Sequence, residues 1–348
     1  MSTTFIIRYS LLIIQYSFIT SLPATGQPSF RFTPQSTPTS ASLRGLSVVS
    51  DQVVWASGSA GTVLRTTNGG TTWIKHPVPG ADSLDFRSLK AFGADEAFVL
   101  SAGEPALLYH TTDGGTTWQL RYENRTPGIF FDALTFWDAT HGIAMSDPVD
   151  GHFVLIATHD GGQTWQPLPT DHLPPPANGE AGFAASNSGL ATHGDQNVWF
   201  ATGGAQARVF RSDDRGKHWQ VADTPMRQGE ASQGIFSIVM TDSQRGAAVG
   251  GDYLLPEDTT RTASYTTDGG QTWQLSESLP GGYRSAVAYH PATQLLLTVG
   301  PSGVDYSADY GRTWQPIDTI GYHTVQFAPN QRVGWAAGSN GRITRFNW

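Results

Sequence analysis

Charged side chains recur at equivalent positions of a repeated sequence pattern, and their types suit ligand recognition. At a common offset from a recurring octet, the chain has Arg44, Arg87, Asp132, Arg284 and His323. A tyrosine directly precedes the last two, at Tyr283 and Tyr322. An arginine fork can hold a carboxylate through two parallel hydrogen bonds. The pattern therefore predicts a site for an anion or a sugar, and the alternative is that these charges only pair with one another.

Two glutamates come from the corresponding region of two further repeats. Glu180 lies in residues 178–182 and Glu230 in residues 229–233, and both segments are rich in small residues. Two carboxyl groups across an open pocket can act as general acid and general base in glycoside hydrolysis. Glu180, Glu230 and Asp132 are therefore candidate catalytic residues. Their separation decides between catalysis and charge pairing, and the sequence leaves both open.

The octet recurs six times, with the pattern Ser/Thr-x-Asp-x-Gly-x-Thr-Trp. Its third position is occupied by Asn68, Asp113, Asp160, Asp214, Asp268 and Asp309. An aspartate there can accept hydrogen bonds from the backbone of its own turn, and glycine supplies the positive φ angle. We therefore predict a structural role for these residues, without metal or ligand. Asn68 replaces aspartate in the first copy and His218 replaces threonine in the fourth, so we expect weaker turns there.

The spacing of the octets predicts the fold. Successive octet tryptophans are 41 to 54 residues apart, which is the period of one four-stranded propeller blade. Six complete repeats are followed by three further strands and no seventh octet. The missing outer strand is expected at residues 29–33. We predict an all-β, seven-bladed β-propeller of four-stranded antiparallel blades with Asp-box turns, closed by the N-terminal strand.

The six octets and their flanking strands resemble the BNR/Asp-box propeller superfamily over Leu43 to Trp348. The unbroken GGTTW and GGQTW copies are most similar to the photosystem II stability/assembly factor group, the Ycf48/Hcf136-like propellers. This resemblance implies binding of a protein partner, and we predict a non-catalytic propeller that binds a protein, peptide or envelope glycan through the upper face and the channel mouth. The alternative is a glycan-active enzyme, a hydrolase or lyase of sialidase-like architecture that acts on an acidic sugar.

The sialidase alternative can be compared with the family motif. Sialidases carry an Arg-Ile-Pro motif, and the nearest segment here is Phe86-Arg87-Ser88-Leu89, with Ser-Leu in place of Ile-Pro. Two long insertions, residues 171–177 and 251–258, suit recognition loops or simple variation in loop length. Residues 147–151 resemble a cation-binding loop, but they lack alternating acidic ligands, so we predict a turn.

Composition and the N-terminus limit the partners and the location. A formal net charge of -8 argues against nucleic acid, and the chain has no cysteine and no flavin, quinone or haem motif, so we expect no cofactor and no metal. Residues 1–26 suit a signal peptide, with a disordered tail as the alternative, and residues 27–348 form one propeller domain. We expect export to the periplasm or the extracellular space, no membrane span, and a monomer.

Overall fold

The computed structural model describes Met1 and residues 28–348, and its strands form seven blades. Apart from Met1, the predicted signal peptide at residues 1–26 lies outside the described residues. Blade one comprises β2 (Leu43–Val48), β3 (Val54–Gly58), β4 (Thr62–Thr66) and β5 (Ile74–Lys75). Blade two comprises β6 (Asp85–Ala91), β7 (Ala97–Ala102), β8 (Ala106–Thr111) and β9 (Gln119–Asn124). Blade three comprises β10 (Phe131–Phe136), β11 (Gly142–Val149), β12 (His152–Thr158) and β13 (Gln166–Pro167).

The other four blades continue in the same order. Blade four comprises β15 (Leu190–His193), β16 (Asn197–Ala201), β18 (Arg208–Ser212) and β19 (Gln220–Asp223). Blade five comprises β20 (Gln233–Met240), β21 (Gly246–Asp252), β22 (Ala263–Thr266) and β23 (Gln274–Leu275), and two short strands, β14 (Glu180–Ala181) and β17 (Gly203–Gly204), extend its inner edge. Blade six comprises β24 (Ala286–His290), β25 (Leu295–Gly300), β26 (Gly303–Ser307) and β27 (Gln315–Asp318). Blade seven comprises β28 (Thr324–Phe327), β29 (Val333–Ala337), β30 (Ile343–Asn347) and β1 (Arg31–Gln35).

The N-terminal strand closes the ring, as predicted. β1 pairs antiparallel with β30 from Arg31 opposite Asn347 to Gln35 opposite Ile343. This strand lies two residues later than the predicted 29–33. The innermost strands contact one another all the way round, in the order β2, β6, β10, β15, β20, β24, β28 and back to β2. The prediction of a closed seven-bladed propeller is therefore confirmed.

The octets form turns with a repeated hydrogen-bond pattern. In the second copy, Asp113 Oδ1 accepts the backbone N–H of Thr117 at 2.8 Å, and Asp113 Oδ2 accepts the Thr117 hydroxyl at 2.6 Å. These bonds lower the pKa of Asp113 to about 2. In the first copy, Asn68 keeps the backbone bond, to Thr72, at 2.9 Å. In the fourth, His218 Nδ1 lies 2.6 Å from Asp214 Oδ2, so the imidazole takes the place of the usual hydroxyl.

The tryptophan that ends an octet packs into the interface between two blades. Trp73 lies in the cluster that joins blades one and seven, together with Trp335. Trp165 lies between blades two and three, and Trp219 between blades three and four. Buried apolar surface between blades is the main stabilising contribution in such a ring. Among the described residues there is no helix that could cross a membrane.

Candidate functional site

A pocket of about 510 Å³ opens at one mouth of the central channel, and we call it the upper pocket. Five of the residues predicted from the sequence line it: Arg44, Arg87, Asp132, Tyr283 and His323. Its volume lies within the range of about 300–1,000 Å³ that small-molecule sites usually have. The offset from the octets therefore identified residues that share one cavity, although they come from five different blades.

β-Bulges point four side chains into the upper pocket. The register of the two inner strands shifts between Leu43 and Gly45, between Asp85 and Ser88, between Phe131 and Ala133, and between Ile235 and Ser237. The residues within these shifts include the pocket residues Arg44, Arg87, Asp132 and Phe236. A bulge inserts an extra residue and changes the direction of its side chain. The equivalent residue of blade five is therefore Phe236, and Glu230, which was expected near this position, is not among the pocket residues.

Residues 183–188 run through the channel, and we call them the channel segment. Arg44 Nη1 donates to the carbonyl oxygen of Ala185 at 3.0 Å, and Arg87 Nη1 donates to that of Ala184 at 3.4 Å. Further along, the Ser186 hydroxyl donates to Ser285 O at 2.7 Å. The segment is thus attached to blades one, two and six, although it lies between β14 and the first strand of blade four.

The lower half of the channel segment is attached in the same way. Asn187 Oδ1 accepts the backbone N–H of Leu134 at 2.8 Å, and Asn187 Nδ2 donates to Leu89 O at 3.1 Å. Ile238 N donates to Ser188 O at 2.8 Å. Residues 183–185 line the upper pocket, whereas residues 186–188 line a second cavity of about 260 Å³. The segment therefore separates the channel into two cavities.

The two arginines of the upper pocket differ in their partners. Arg87 Nε donates to Asp85 Oδ2 at 2.7 Å, so its charge is paired. Arg44 donates only to Ala185 O, and it forms no ion pair with any described residue. Burial, together with the charge of Arg87, lowers the pKa of Arg44 from its usual value of 12.5. An arginine remains charged at neutral pH, so Arg44 presents an unpaired cation to the pocket.

A pair of carboxyl groups forms another wall of the pocket. Asp132 is 1% exposed, and neither of its carboxyl oxygens has a hydrogen-bond donor among the described residues. Asp147 lies within hydrogen-bonding reach of Asp132, and its Oδ1 accepts the backbone N–H of Gly182 at 2.7 Å. Burial and the neighbouring Asp147 raise the pKa of Asp132 well above its usual value, and burial raises that of Asp147 to about 6. The two carboxyl groups therefore titrate as an interacting pair, and Asp147 loses its proton as the pH rises through about 6.

Two further predicted residues in the pocket are neutral. Burial, together with the charges of Arg44 and Arg87, lowers the pKa of His323 to about 3. His323 Nε2 lies 2.9 Å from Ser339 Oγ. Burial raises the pKa of Tyr283, so its hydroxyl stays protonated. Both side chains can contribute hydrogen bonds or packing to a ligand, but neither adds charge at neutral pH.

The structure does not place Arg284 in the upper pocket. Its side chain is 2% exposed and forms an ion pair with the buried Asp305, with Arg284 Nη2 at 2.6 Å from Asp305 Oδ2. It also donates to Tyr283 O at 3.0 Å and to Ser302 Oγ at 2.8 Å. No register shift occurs where blade six begins, and Tyr283 faces the pocket instead. The prediction that Arg284 holds a ligand is therefore corrected, because all its contacts are internal.

Tyr322 and the two glutamates also lie outside the pocket lining. Tyr322 is buried between blades six and seven and donates its hydroxyl to Thr344 Oγ1 at 3.1 Å. Glu180 is buried, accepts the Thr202 hydroxyl at 2.6 Å, and forms an ion pair with Arg208. Glu230 is exposed. Because Glu180 has internal partners and Glu230 points to solvent, the structure does not bring them together as an acid/base pair.

Sequence reasoning missed part of the lining. Asp147 was assigned to a turn, yet it lies in β11 at a register shift, and only Asp150 and Gly151 have the positive φ angles of the turn. The aromatic residues overlooked are Phe130, Phe183 and Phe236. Tyr253 belongs to the insertion at residues 251–258, which was recognised as a possible recognition loop. A bulged position next to Ser146 leaves no signature in the sequence that would have identified Asp147.

The described residues contain no group of three or more histidine, aspartate or glutamate side chains that could hold a metal ion. The carboxyl pair provides only two side chains, fewer than the three that a metal site of this kind needs. The geometry instead offers a cationic wall, an acidic wall and aromatic rings between them. Such a pocket suits an organic ligand that carries charge and apolar groups together.

Comparisons with known proteins agree with this architecture. The family model described as photosynthesis system II assembly factor YCF48 matches residues 28–166, and the BNR/Asp-box repeat model matches residues 264–275. The resemblance to the Asp-box propellers of the YCF48 group is confirmed. No curated protein sequence matches the chain.

Solved structures with the same fold include YCF48 itself. A structure of YCF48 bound to D1 peptide is 17% identical, with a TM-score of 0.66, and the match covers 94% of this chain and 100% of that one. YCF48 from Cyanidioschyzon merolae is 19% identical, with a TM-score of 0.63, and covers 91% and 98%. The GH74 enzyme of Niastella koreensis is 14% identical, with a TM-score of 0.61, over 90% of this chain and 53% of the enzyme. At such identities these structures share the fold alone.

Proposed function

We propose that this protein is a non-catalytic binding module that holds a peptide segment of a partner protein in the upper pocket. The observation that carries the proposal is the unpaired Arg44 guanidinium beside a wall of aromatic rings. Arg44 uses one of its five N–H groups internally, on Ala185 O, so the others remain for a ligand. A carboxylate of a peptide is a suitable partner, because a guanidinium can hold it through two hydrogen bonds.

Aromatic side chains supply the apolar part of the pocket. The rings of Phe183 and Phe236 stack with centroids 3.8 Å apart, and Tyr283 meets Phe236 edge-on at 4.7 Å. Large, rigid rings lose little conformational entropy on binding and are enriched at interfaces. The pocket can therefore bury apolar side chains of a peptide whose carboxylate contacts Arg44.

The rim of the pocket extends the apolar surface outward. Tyr253, Leu254 and Leu255 follow one another in the insertion of blade five and are 47%, 68% and 50% exposed. Three neighbouring exposed apolar residues beside a pocket are typical of a protein-binding surface. Since YCF48, a propeller of the same group, has been solved with a D1 peptide bound, a peptide is the ligand class that fits the fold and the pocket together.

The alternative of a glycan-active enzyme has no geometric support among the described residues. Glycosidases usually separate their two carboxyl groups by about 5–10 Å, with water or substrate between them. Asp132 and Asp147 lie within hydrogen-bonding reach of each other, and Glu180 is held by Arg208 and Thr202. The GH74 similarity is a similarity of fold, and fold alone does not indicate activity.

A peptide-display selection tests the proposal. The protein is used to select random decapeptides, and the enriched peptides are titrated calorimetrically against the protein, Arg44→Met, Tyr253→Ala and the control Arg125→Ala. Arg125 is an exposed residue of blade two. We expect Arg44→Met and Tyr253→Ala each to weaken binding about tenfold or more, and Arg125→Ala to leave it unchanged. Failure to enrich any peptide, or equal affinity for all four proteins, would refute the proposal.

Export is part of the same proposal. The apolar stretch that begins at Leu11 and the small residues before Gln27 favour a cleaved signal peptide, and the partner would then lie outside the cytoplasm. N-terminal sequencing of the protein recovered from the extracytoplasmic fraction tests this. A mature chain that begins at Gln27 supports export, and an intact N-terminus in the cytoplasmic fraction contradicts it.

A further inference from the structure

The carboxyl pair of Asp132 and Asp147 has no counter-ion, although it faces an open pocket. No ion pair of a described residue includes either carboxylate, and both oxygens of Asp132 lack a donor. By contrast, Glu180 and Asp305, which are about as buried as Asp132, are each paired with an arginine. A buried acidic group without a partner is destabilising. The Asp132–Asp147 pair nevertheless lies in the wall of the cavity that we propose binds a ligand.

The groups that surround the pair do not neutralise it. Across the pocket lie Arg44 from β2, Arg87 from β6, His323 at the start of blade seven, Tyr283 at the start of blade six and Tyr253 in the insertion of blade five. Arg87 is paired with Asp85, although its charge still lowers the pKa of Asp132. The imidazole of His323 and the phenol of Tyr283 are uncharged, because burial lowers the pKa of His323 and raises the pKa of Tyr283. A positive group supplied by a ligand would therefore complete this wall.

We propose that the Asp132–Asp147 pair is a subsite for an alkylammonium group, so that the upper pocket selects ligands that carry a primary amine as well as a carboxylate. The inference rests on the proposed function, because it specifies the peptide that the pocket accepts. A lysine side chain or a free N-terminus would place its ammonium at Asp147, which is the more exposed member. Asp132 lies behind it and is a positioning residue.

Gly182 fixes the position of the pair. Its backbone N–H donates to Asp147 Oδ1, and a Cβ at this residue would lie 2.4 Å from Asp132 Oδ2. The absence of a side chain therefore allows the backbone to approach both carboxyl groups. The remaining oxygen positions of Asp147 are left to a ligand, and a charge-assisted N–H···O bond is the strongest type available there.

The subsite implies a dependence on pH with a definite sign. The pKa of Asp147 is raised to about 6, so the pair gains negative charge as the pH rises through that value. Ammonium binding should therefore be about tenfold weaker at pH 5 than at pH 7.5, since one pH unit below the pKa leaves about a tenth of the group ionised. A ligand with a carboxylate only should show no such gain.

The test compares three matched small probes by calorimetry: 6-aminohexanoate, hexanoate and hexylammonium. We expect 6-aminohexanoate to bind more tightly than hexanoate at pH 7.5, with the difference largely lost at pH 5. Asp147→Asn should abolish the preference for 6-aminohexanoate over hexanoate, and because asparagine can still accept the Gly182 N–H, the loss reports the missing negative charge. Asp150→Asn, in the nearby turn, is the control and should behave as the unchanged protein.

Peptides distinguish the source of the ammonium and separate this inference from the proposed function. Each selected peptide is prepared with lysine replaced by norleucine, and separately with an acetylated N-terminus. If one of these changes weakens binding to the unchanged protein but not to Asp147→Asn, the inference is supported. The change that weakens binding shows whether the ammonium belongs to the lysine or to the N-terminus. Peptides that bind regardless of charge and of Asp147→Asn overturn the inference but not the proposed function. Amine binding without any peptide binding would refute the proposed function and keep the subsite.

Discussion

Removing Arg284 should destabilise the propeller strongly without changing ligand binding. The Arg284–Asp305 pair is almost fully buried, at 2% and 1% exposure of the two side chains. Arg284→Met removes the partner of Asp305 and leaves that carboxylate with the Gly281 N–H at 3.1 Å as its remaining hydrogen bond in the structure. Leaving one charge of a buried pair unpaired costs about 3–5 kcal/mol of unfolding free energy.

The magnitude can be isolated with the double variant Arg284→Met/Asp305→Leu. Replacing both charges by apolar residues removes the unpaired carboxylate, and such replacements are often neutral or stabilising. We therefore expect the double variant to recover most of the stability lost in Arg284→Met. Urea denaturation at pH 7 measures the unfolding free energy of the two single variants and the double variant.

Two results would refute this reasoning. A cost below about 1 kcal/mol for Arg284→Met would mean that the pair is solvated and not buried. If the double variant recovers its stability but loses peptide affinity, Arg284 takes part in ligand binding, although its contacts in the structure are internal. The experiment therefore tests both the energetics of the pair and the correction of the sequence prediction.

Three further predictions concern the octet turns and the pocket. Asp214→Ala should lower the unfolding free energy by about 1–3 kcal/mol at pH 7. Because the pKa of Asp214 is lowered to about 2, the stabilising effect of its carboxylate is lost as the pH falls toward that value. The loss of unfolding free energy caused by Asp214→Ala should therefore be smaller in urea denaturation at pH 2.5 than at pH 7. Gly182→Ala should weaken 6-aminohexanoate binding more than hexanoate binding in calorimetry, since its Cβ would displace Asp132. His323→Asn should leave the pH profile of binding between pH 5 and 8 unchanged, because the pKa of His323, at about 3, lies below that range.

Each of these predictions has a result that contradicts it. An Asp214→Ala cost that stays constant from pH 7 to pH 2.5 would show that the carboxylate charge is irrelevant to the turn. Equal losses of both probes in Gly182→Ala would mean that the pocket is disrupted as a whole. A pH profile that shifts in His323→Asn would assign the titration to the imidazole in place of Asp147.

Most of the architecture could be predicted from the sequence repeat. The octet spacing, the three strands after the last octet and Phe32 near the N-terminus were enough to predict seven blades and their closure, because each repeat must bury its faces against its neighbours. The position of β1 was two residues off, because the strand begins at Arg31 and continues to Gln35 opposite Ile343.

Among the predicted arginines and Asp132, the residues that line the upper pocket are those at a β-bulge. Arg44, Arg87 and Asp132 lie at such bulges, and the offset from the octet brought them together. Arg284 has no bulge, and its side chain points into the blade, where Asp305 binds it. Whether an arginine pairs with an internal carboxylate depends on which residues surround it in the folded protein, and the spacing of the octets does not reveal those residues.

The channel segment could not have been predicted from the repeat. Residues 183–188 read as part of a loop with small residues, yet their backbone carbonyl groups accept hydrogen bonds from Arg44 and Arg87. The same segment contributes Phe183 to the pocket wall and separates the upper pocket from the lower cavity. A segment that leaves the repeat pattern is positioned by contacts with six other blades, and those contacts are long-range.

Hydrogen–deuterium exchange with a selected peptide tests the central claim most directly. We expect the peptide to protect backbone amides of the channel segment and of residues 252–258, and Arg44→Met to remove this protection. Protection confined to the outer strands of the blades, with the channel segment unchanged, would contradict the assignment of the upper pocket as the binding site.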